Sequence, residues 1–228
     1  MAYKKPPEPP KPVLPPDNRK AQGLNNSAMS ANIISGLAAV SVSDFLEKDA
    51  DGNEFMSKAN AKKMSKKAHQ ALCDAINEEV KKNCYVLGDY AGLLTAGSPP
   101  PPDLNGPYTF EVMECNLTSD DVFFYSTEHS DALISFQSKL GLALTQKIKF
   151  KTEDTRSYLT VPPLTILPGT LFVIIPNNTT GANVDQQTMM DRIVKAVIDG
   201  IEGAKVMQAA PATSKGPGTG TWTFSQII

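Results

Sequence analysis

The sequence predicts an α+β fold: amphipathic helices packed on a mixed sheet, an extended Pro-rich N-terminal arm and a tethered C-terminal strand. Three observations predict it. Apolar residues recur at helical spacing over three long segments, 28–47, 57–83 and 187–206. Short alternating or continuously apolar runs, typical of strands, lie between them and at the end of the chain. Stretches rich in Pro and Gly separate the two kinds of pattern.

Composition limits the classes of function open to the chain. Its 228 residues, 41% of them hydrophobic, suffice for one large domain or two small ones. The formal net charge of −2 gives no general attraction to nucleic acid or anionic lipid. The sequence has three cysteines, no CxxC pair, no signal-peptide pattern and no membrane-length apolar run. We therefore expect cytoplasmic synthesis, free thiols and no membrane partner.

The arm, taken as residues 1–27, is dominated by proline at its start. Residues 1–18 carry prolines at positions 6, 7, 9, 10, 12, 15 and 16. Proline excludes a helix and favours extended polyproline II, so an isolated arm is expected to be disordered. In an assembly it can lie along a neighbouring subunit, and as a PxxP ligand it can bind another protein. The residues expected to make such contacts are Tyr3, Pro6, Pro9 and Pro12.

A helical region, residues 28–97, follows the arm. Its first helix is predicted over 28–47, weakened in the middle by Gly36 and a Ser/Val run at 40–43. Residues 49–53 hold the Asp, Gly and Asn of a turn, but the EF-hand loop requires Gly at its sixth position and Glu at its twelfth. Both are missing, so calcium is excluded and a loop between two helices is predicted.

The strongest helix prediction spans 57–83, with Ser57 as the N-cap and an apolar stripe on one side. At about 100° per residue, the opposite side carries a row of lysines: Lys58, Lys62, Lys63, Lys66 and Lys67. A row of charged residues usually forms only a solvent-exposed helix face, and the acidic net charge of the chain argues against a nucleic-acid partner. An acidic protein partner is the alternative, with Lys62 and Lys66 as its candidate contacts.

An α+β domain is predicted over residues 98–228, and a proline spacer that runs from Gly97 to Gly106 forms its start. Strands are predicted at 108–115, 121–126, 147–151, 158–161 and 171–175. The first two are expected to form a hairpin, and the last to be central and buried on both faces. Helices are predicted at 131–145, capped by Ser130, and at 187–206, capped by Asp185.

The last strand, predicted over 221–227, shares a pattern with the strand that begins near Gly106. Both contain Gly, any residue, an aromatic residue, Thr and Phe, and both follow a linker rich in Pro and Gly. Strand alternation places the aromatic residues of each strand on one side: Tyr108 with Phe110, and Trp222 with Phe224. A tethered edge strand can pair within its own sheet or with a neighbour's, and the sequence leaves both open.

Patterns for catalysis and cofactor binding were sought and not found. Asp74 lies off the helix face of His69, so spacing implies no triad, and His129, next to Glu128 and two residues before Asp131, is expected to serve turn and cap chemistry. Two histidines without a CxxC or HxxxH pattern do not predict a zinc site. The run from Gly216 to Gly220 lacks the strand-before, helix-after context and the lysine of a phosphate loop. We therefore expect no enzyme activity, no cofactor, no metal and no small-molecule substrate.

The expected function is that of a structural subunit in a large assembly. A bacteriophage virion component fits best: a neck, tail-completion, baseplate or minor capsid protein, made in the cytoplasm and then built into the particle. Its partners would be copies of itself and other assembly proteins, joined by the terminal arms. Two alternatives stay open: a soluble adaptor using the PxxP-type tail and the lysine row, and an enzyme without a recognisable motif.

Overall fold

The computed structural model describes residues 23–94, 106–123, 129–151, 164–176, 185–208 and 218–228. Within these ranges the fold is α+β, as predicted. The helices are α1 (Asn26–Ala38), α2 (Lys58–Asn83), α3 (Ser119–Val122), α4 (His129–Lys147) and α5 (Gln186–Glu202). The strands are β1 (Glu47–Lys48), β2 (Glu54–Phe55), β3 (Tyr85–Leu94), β4 (Gly106–Glu114), β5 (Lys149–Phe150), β6 (Leu164–Ile166), β7 (Val206–Gln208) and β8 (Gly218–Ile227).

Several sequence predictions lie outside the described residues. These are the arm with Tyr3, Pro6, Pro9 and Pro12, nearly all of the proline spacer, the strand at 158–161 and the loop that follows residue 176.

A four-stranded sheet in the order β5–β4–β3–β8 organises the fold. The central strand β3 pairs with β4 on one side and with β8 on the other. β1–β2 and β6–β7 form two small sheets of their own. All pairings among the described strands are antiparallel, where a mixed sheet was predicted.

One face of the large sheet is buried and the other is exposed. Strand alternation puts Val86, Phe110 and Trp222 on the buried face, and Thr109 and Thr223 on the exposed one. A single apolar core continues from the buried face into the helices. Its fully buried members include Met29 and Ile33 of α1, Ile76 and Val80 of α2, Leu144 of α4, and Val194 and Ile201 of α5.

The helical region differs from its prediction in the segment before α2. The helix predicted over 28–47 ends at Ala38, a 3₁₀ turn spans Val42–Phe45, and β1 follows. The break falls beside the Ser/Val run at 40–43, and serine and β-branched residues have low helix propensity. The turn at 49–53 is the tip of the β1–β2 hairpin rather than a loop between helices, because the Asp49 carboxylate accepts the backbone N–H groups of Asp51 and Asn53.

Two helices begin directly after the N-cap residues that were predicted for them. Ser57 Oγ accepts the Asn60 N–H at 3.3 Å, and Asp185 Oδ1 accepts the Thr188 N–H at 2.6 Å. α2 therefore has the predicted bounds. α5 ends at Glu202 rather than at 206, because the chain then turns to pair β7 with β6.

The predicted strand at 121–126 is wrong in its described part, because residues 119–122 form the short helix α3. Thr118 and Asp121 form a capping box there: Asp121 Oδ2 accepts both Thr118 N–H and Oγ1–H at 2.8 Å. Burial raises the pKa of Asp121, but these bonds and the Lys147 ammonium at 3.3 Å outweigh it and hold that pKa below its usual range.

α4 is longer at both ends than its prediction over 131–145. It begins at His129, so Ser130 lies inside it rather than at its cap, and it continues to Lys147. The strand predicted over 147–151 is reduced to β5, although its predicted alternation holds, with Ile148 and Phe150 buried.

The segment 171–175, called the strap below, is extended but belongs to no sheet of the described chain. The prediction of a central strand buried on both faces is therefore wrong. Leu171, Val173 and Ile175 are buried, whereas Phe172 is 62% exposed and Ile174 is 72% exposed.

Two helices explain why the strap is not paired. Successive residues of an extended chain direct their backbone groups to opposite sides. On one side Ile175 donates its N–H to Gln137 Oε1 of α4 at 3.0 Å. On the other side α5 approaches so closely that a Cβ at Gly200 would lie 2.5 Å from the Phe172 carbonyl oxygen. The two helices thus occupy both backbone edges of the strap, where neighbouring strands would have to form their hydrogen bonds.

Candidate interaction surfaces

The predicted aromatic residues meet in one cluster around Trp222. Its ring centroid lies 5.0 Å from Tyr108, 5.4 Å from Phe110 and 6.1 Å from Phe224. Tyr90 of β3 completes the cluster at 5.1 Å. Pairs at these distances add about 0.5–1.5 kcal/mol each beyond burial of their surface.

β3 lies at the centre of this cluster, yet no strand was predicted at 85–94. A single glycine opens the space that the rings fill. A Cβ at Gly88 would lie 2.9 Å from the Phe224 ring and 3.0 Å from the Phe110 ring. Alternation of the larger residues Val86 and Tyr90 across Gly88 was the sequence signal for this strand.

The aromatic cluster is an anchor for β8 rather than an open binding surface. Trp222 is 8% exposed and Tyr90 is 3% exposed. Trp222 Nε1 and Tyr90 Oη are buried without a hydrogen-bond partner among the described residues. Because each unpaired donor costs about 1–3 kcal/mol, the apolar contacts of the rings supply the stabilisation of this cluster.

The predicted C-terminal strand is confirmed as a strand and lies at an edge of the sheet. β8 begins at Gly218 and pairs with β3 of the same chain from Leu94↔Gly218 to Val86↔Ile227. The related strand β4 pairs with the opposite side of β3. The two similar sequences therefore flank one central strand.

The lysine row of α2 is exposed, and part of it is engaged within the chain. Lys66 forms an ion pair with Asp120 at 2.5 Å. The Lys67 ammonium lies over the Phe45 ring, 5.1 Å from its centroid. Further along α2, the Asn77 amide bonds both the N–H and the C=O of Leu117. This face of α2 therefore holds the 116–121 segment in place.

An exposed apolar surface that the sequence analysis missed lies where α4 meets the strap. Ile134 and Leu142 of α4 are 65% and 60% exposed, comparable with Phe172 and Ile174 of the strap. Ile134 is two helical turns before Gly141 and so faces the same way, and a Cβ at Gly141 would lie 3.4 Å from the Leu171 carbonyl oxygen. We call these four side chains the strap ridge.

Of the two histidines considered for catalysis, His69 is used in packing. His69 Nδ1 contacts the Ser65 carbonyl oxygen at 2.7 Å, and its ring packs edge-on against Phe123 and Phe136. The side chain of His129 lies outside the described part of the chain. No group of three or more His, Cys, Asp or Glu residues within the described ranges could hold a metal ion.

The three cysteines are free and buried. Burial raises the pKa of Cys73 to about 12 and that of Cys115 to about 12, and it also raises the pKa of Cys84. At neutral pH they are therefore protonated thiols, which are poor nucleophiles and poor metal ligands.

Comparison of the chain with protein-family models, curated proteins and solved structures finds no match. Among the described helices, none is both long and apolar enough to cross a membrane.

Proposed function

We propose that this chain is a structural subunit of a large homomeric assembly, in particular a bacteriophage virion component. Neighbouring subunits would be joined through the terminal segments and through exposed apolar surface. In this proposal the chain is made in the cytoplasm and then incorporated into the particle. It is not an enzyme, and its partners are copies of itself and other particle proteins.

The strap ridge is the observation that carries the proposal. Phe172 and Ile174 are 62% and 72% exposed, and α4, which packs against the strap backbone, exposes two further apolar residues. Contiguous apolar patches on soluble proteins mark sites of protein association. The residues of the strap have high strand propensity, and one side of the segment is packed while the other is open. This arrangement is typical of a surface that another protein covers.

A concentration series of the full chain tests the proposal. We expect light scattering and negative-stain microscopy to show a ring or a higher oligomer. The double variant Phe172→Ser/Ile174→Ser should raise the dissociation constant at least tenfold, since about 1.4 kcal/mol of lost contact suffices for that. The matched control is Phe55→Ser, which removes another exposed aromatic ring on the β1–β2 hairpin.

A wild-type chain that stays monomeric up to its solubility limit would overturn the proposal and favour the adaptor. Deletion of residues 1–18 gives an independent check. Because the arm has no apolar periodicity, its loss should leave the melting temperature of the monomer unchanged while it weakens association. A large fall in the monomer's melting temperature would contradict the assigned role of the arm.

A further inference from the structure

An open groove lies between α1 and α2. The two helices nearly touch at Gly36, where a Cβ would lie 2.9 Å from the Ala71 Cβ. The small residues Gly36, Ala71 and Ala75 line the groove, and Asp74 and Glu78 line its α2 side. Because Asp74 and Glu78 are four residues apart, both carboxylates lie on one face of α2. The groove therefore combines an apolar floor with an acidic wall.

The two carboxylates have spare capacity to accept hydrogen bonds. Asp74 Oδ1 accepts the Gln70 Nε2–H at 2.8 Å, and Glu78 bonds no side chain of the described residues. The α1 side of the groove adds only uncharged polar groups, from Asn32 and Ser35. The groove thus presents negative charge from one wall to whatever occupies it.

The lysines at the two ends of the groove do not neutralise it. The Lys67 ammonium lies over the Phe45 ring, 5.1 Å from its centroid. Lys82 follows Glu78 by one helical turn, and no ion pair joins the two in the described part of the chain. A long basic side chain fits this setting, because its methylene stem covers apolar surface while its charged end reaches the carboxylates.

The described chain begins beside this groove. Asn25, the N-cap of α1, donates its backbone N–H to Glu79 Oε1 at 2.7 Å, and Asn83 Nδ2–H donates to the same oxygen at 2.8 Å. Gly23, at φ 68°, turns the chain just before this point. Glu79 directly follows Glu78, so the arm joins the fold one residue along α2 from the acidic wall.

The end of the arm that joins the fold carries two adjacent cations, Arg19 and Lys20. At the reach of an extended chain, Lys20 can lie up to about 10 Å and Arg19 up to about 13 Å from Gly23. Asp74 and Glu78 are separated by about 6 Å along α2. Both cations can therefore reach the wall, and their charge is complementary to it.

We propose that Arg19 and Lys20 bind this groove in their own copy of the chain, with their cationic groups on Asp74 and Glu78. Exposed ion pairs are individually weak, but the short tether to α1 raises the effective concentration of the two cations. The Pro-rich residues 1–18 then leave the subunit from a fixed point beside α1 and α2. The inference goes beyond the assembly function and does not depend on it, because the contact lies within one copy.

Limited trypsin digestion of the full chain tests the contact directly. Trypsin cleaves after lysine and arginine except before proline, so the cleavable bonds of the arm follow Lys4, Arg19 and Lys20. Lys4 is the internal reference, and a synthetic peptide of residues 1–22 gives the rates of an undocked arm. Because cleavage follows the population of the open form, we expect cleavage after Arg19 and Lys20, relative to Lys4, to be about tenfold slower in the chain than in the peptide.

Asp74→Asn/Glu78→Gln separates docking from simple proximity to the fold. This variant should return most of the tenfold protection, and it creates no new tryptic site. The matched control is Asp51→Asn/Glu54→Gln, which removes the same two charges from the exposed β1–β2 hairpin and should leave the protection unchanged. Far-UV circular dichroism checks that each variant is folded.

Three outcomes would overturn the inference. The first is a chain cleaved after Arg19 and Lys20 as fast as the peptide. The second is a groove variant that stays as protected as the wild type. The third is protection that disappears on dilution, which would place the contact between copies.

A double-mutant cycle in urea gives a second measurement. It combines Arg19→Gln/Lys20→Gln with Asp74→Asn/Glu78→Gln. If the groups pair, the unfolding equilibrium constant of the combined variant should differ from the product of the separate effects by about threefold. Separate effects that simply multiply would also overturn the contact.

The two proposals fail in different ways. A chain that stays monomeric while Arg19 and Lys20 are protected would overturn the assembly and support the docked arm. A chain that assembles while both sites are cleaved at the peptide's rate would support the assembly and overturn the docked arm.

Discussion

Replacement of Trp222 by alanine is the sharpest test of the aromatic anchor. The ring is 8% exposed and contacts four other aromatic rings, on β3, β4 and β8. Removing a buried large aromatic side chain typically costs about 3–5 kcal/mol, and loss of the ring pairs places this site in the upper part of that range. We expect the free energy of unfolding to fall by about 4 kcal/mol.

Trp222→Phe separates the ring's apolar contacts from its polar atom. Phenylalanine keeps most of the apolar contact and removes an indole N–H that has no hydrogen-bond partner among the described residues. The smaller ring costs about 0.8 kcal/mol per lost methylene equivalent, while removal of the unpaired donor returns about 1–3 kcal/mol. The net change should lie within about 1 kcal/mol of the wild type.

Urea unfolding followed by far-UV circular dichroism is the assay, because both variants lack the only tryptophan. The measurement is made at the lowest usable concentration, where association contributes least. If Trp222→Ala costs less than about 1 kcal/mol, the anchor does not exist in solution. If Trp222→Phe is as costly as Trp222→Ala, the indole N–H has a partner and the cluster is not purely apolar.

The remaining predictions concern glycine contacts, thiols and a carboxylate. Gly200→Ala should destabilise the chain by about 1–3 kcal/mol in urea unfolding, because its Cβ would meet the strap, although alanine favours helix. Gly141→Ala, with its nearest contact at 3.4 Å, should cost less than about 1 kcal/mol. The three buried thiols should react with an aromatic disulfide reagent only after unfolding, and fast reaction in the native state would contradict their burial. Asp121→Asn should cost about 1 kcal/mol at neutral pH. Since the folded pKa of Asp121 is lowered, that difference should disappear in urea titrations as pH falls from above about 3.9 through the folded value.

The starts of α2 and α5 were predictable because a capping residue marked each of them, whereas Ser130, predicted as the cap of α4, lies inside that helix. Ser57 and Asp185 each accept a backbone N–H at a helix start, and both were identified from the sequence. The same logic applies at α3, where Thr118 and Asp121 have capping-box spacing, but the prediction placed a turn and a strand there and did not use that spacing. Local hydrogen bonding decided the structure there.

β3 could not be found from local propensity. Gly88, Asp89 and Gly92 are poor strand formers, and they outweigh the alternation of Val86 with Tyr90, which is the strand signal that the segment does carry. The strand exists because β4 and β8 supply ladders on both of its sides, and Gly88 makes room for rings from both. Such pairings are non-local, so this part of the aromatic cluster follows only from the tertiary structure.

The strap is a second segment whose structure depends on non-local contacts, and there those contacts produce a candidate interaction site. Residues 171–175 have the composition of a buried strand, but α4 and α5 occupy their edges and leave Phe172 and Ile174 outside. Because these side chains are 62% and 72% exposed, the isolated chain lacks most of the free energy that their burial would contribute. Covering them completely would yield about 1–2 kcal/mol each. Polar substitution there should consequently spare the monomer and weaken the assembly, which is the signature of an interface and not of a core.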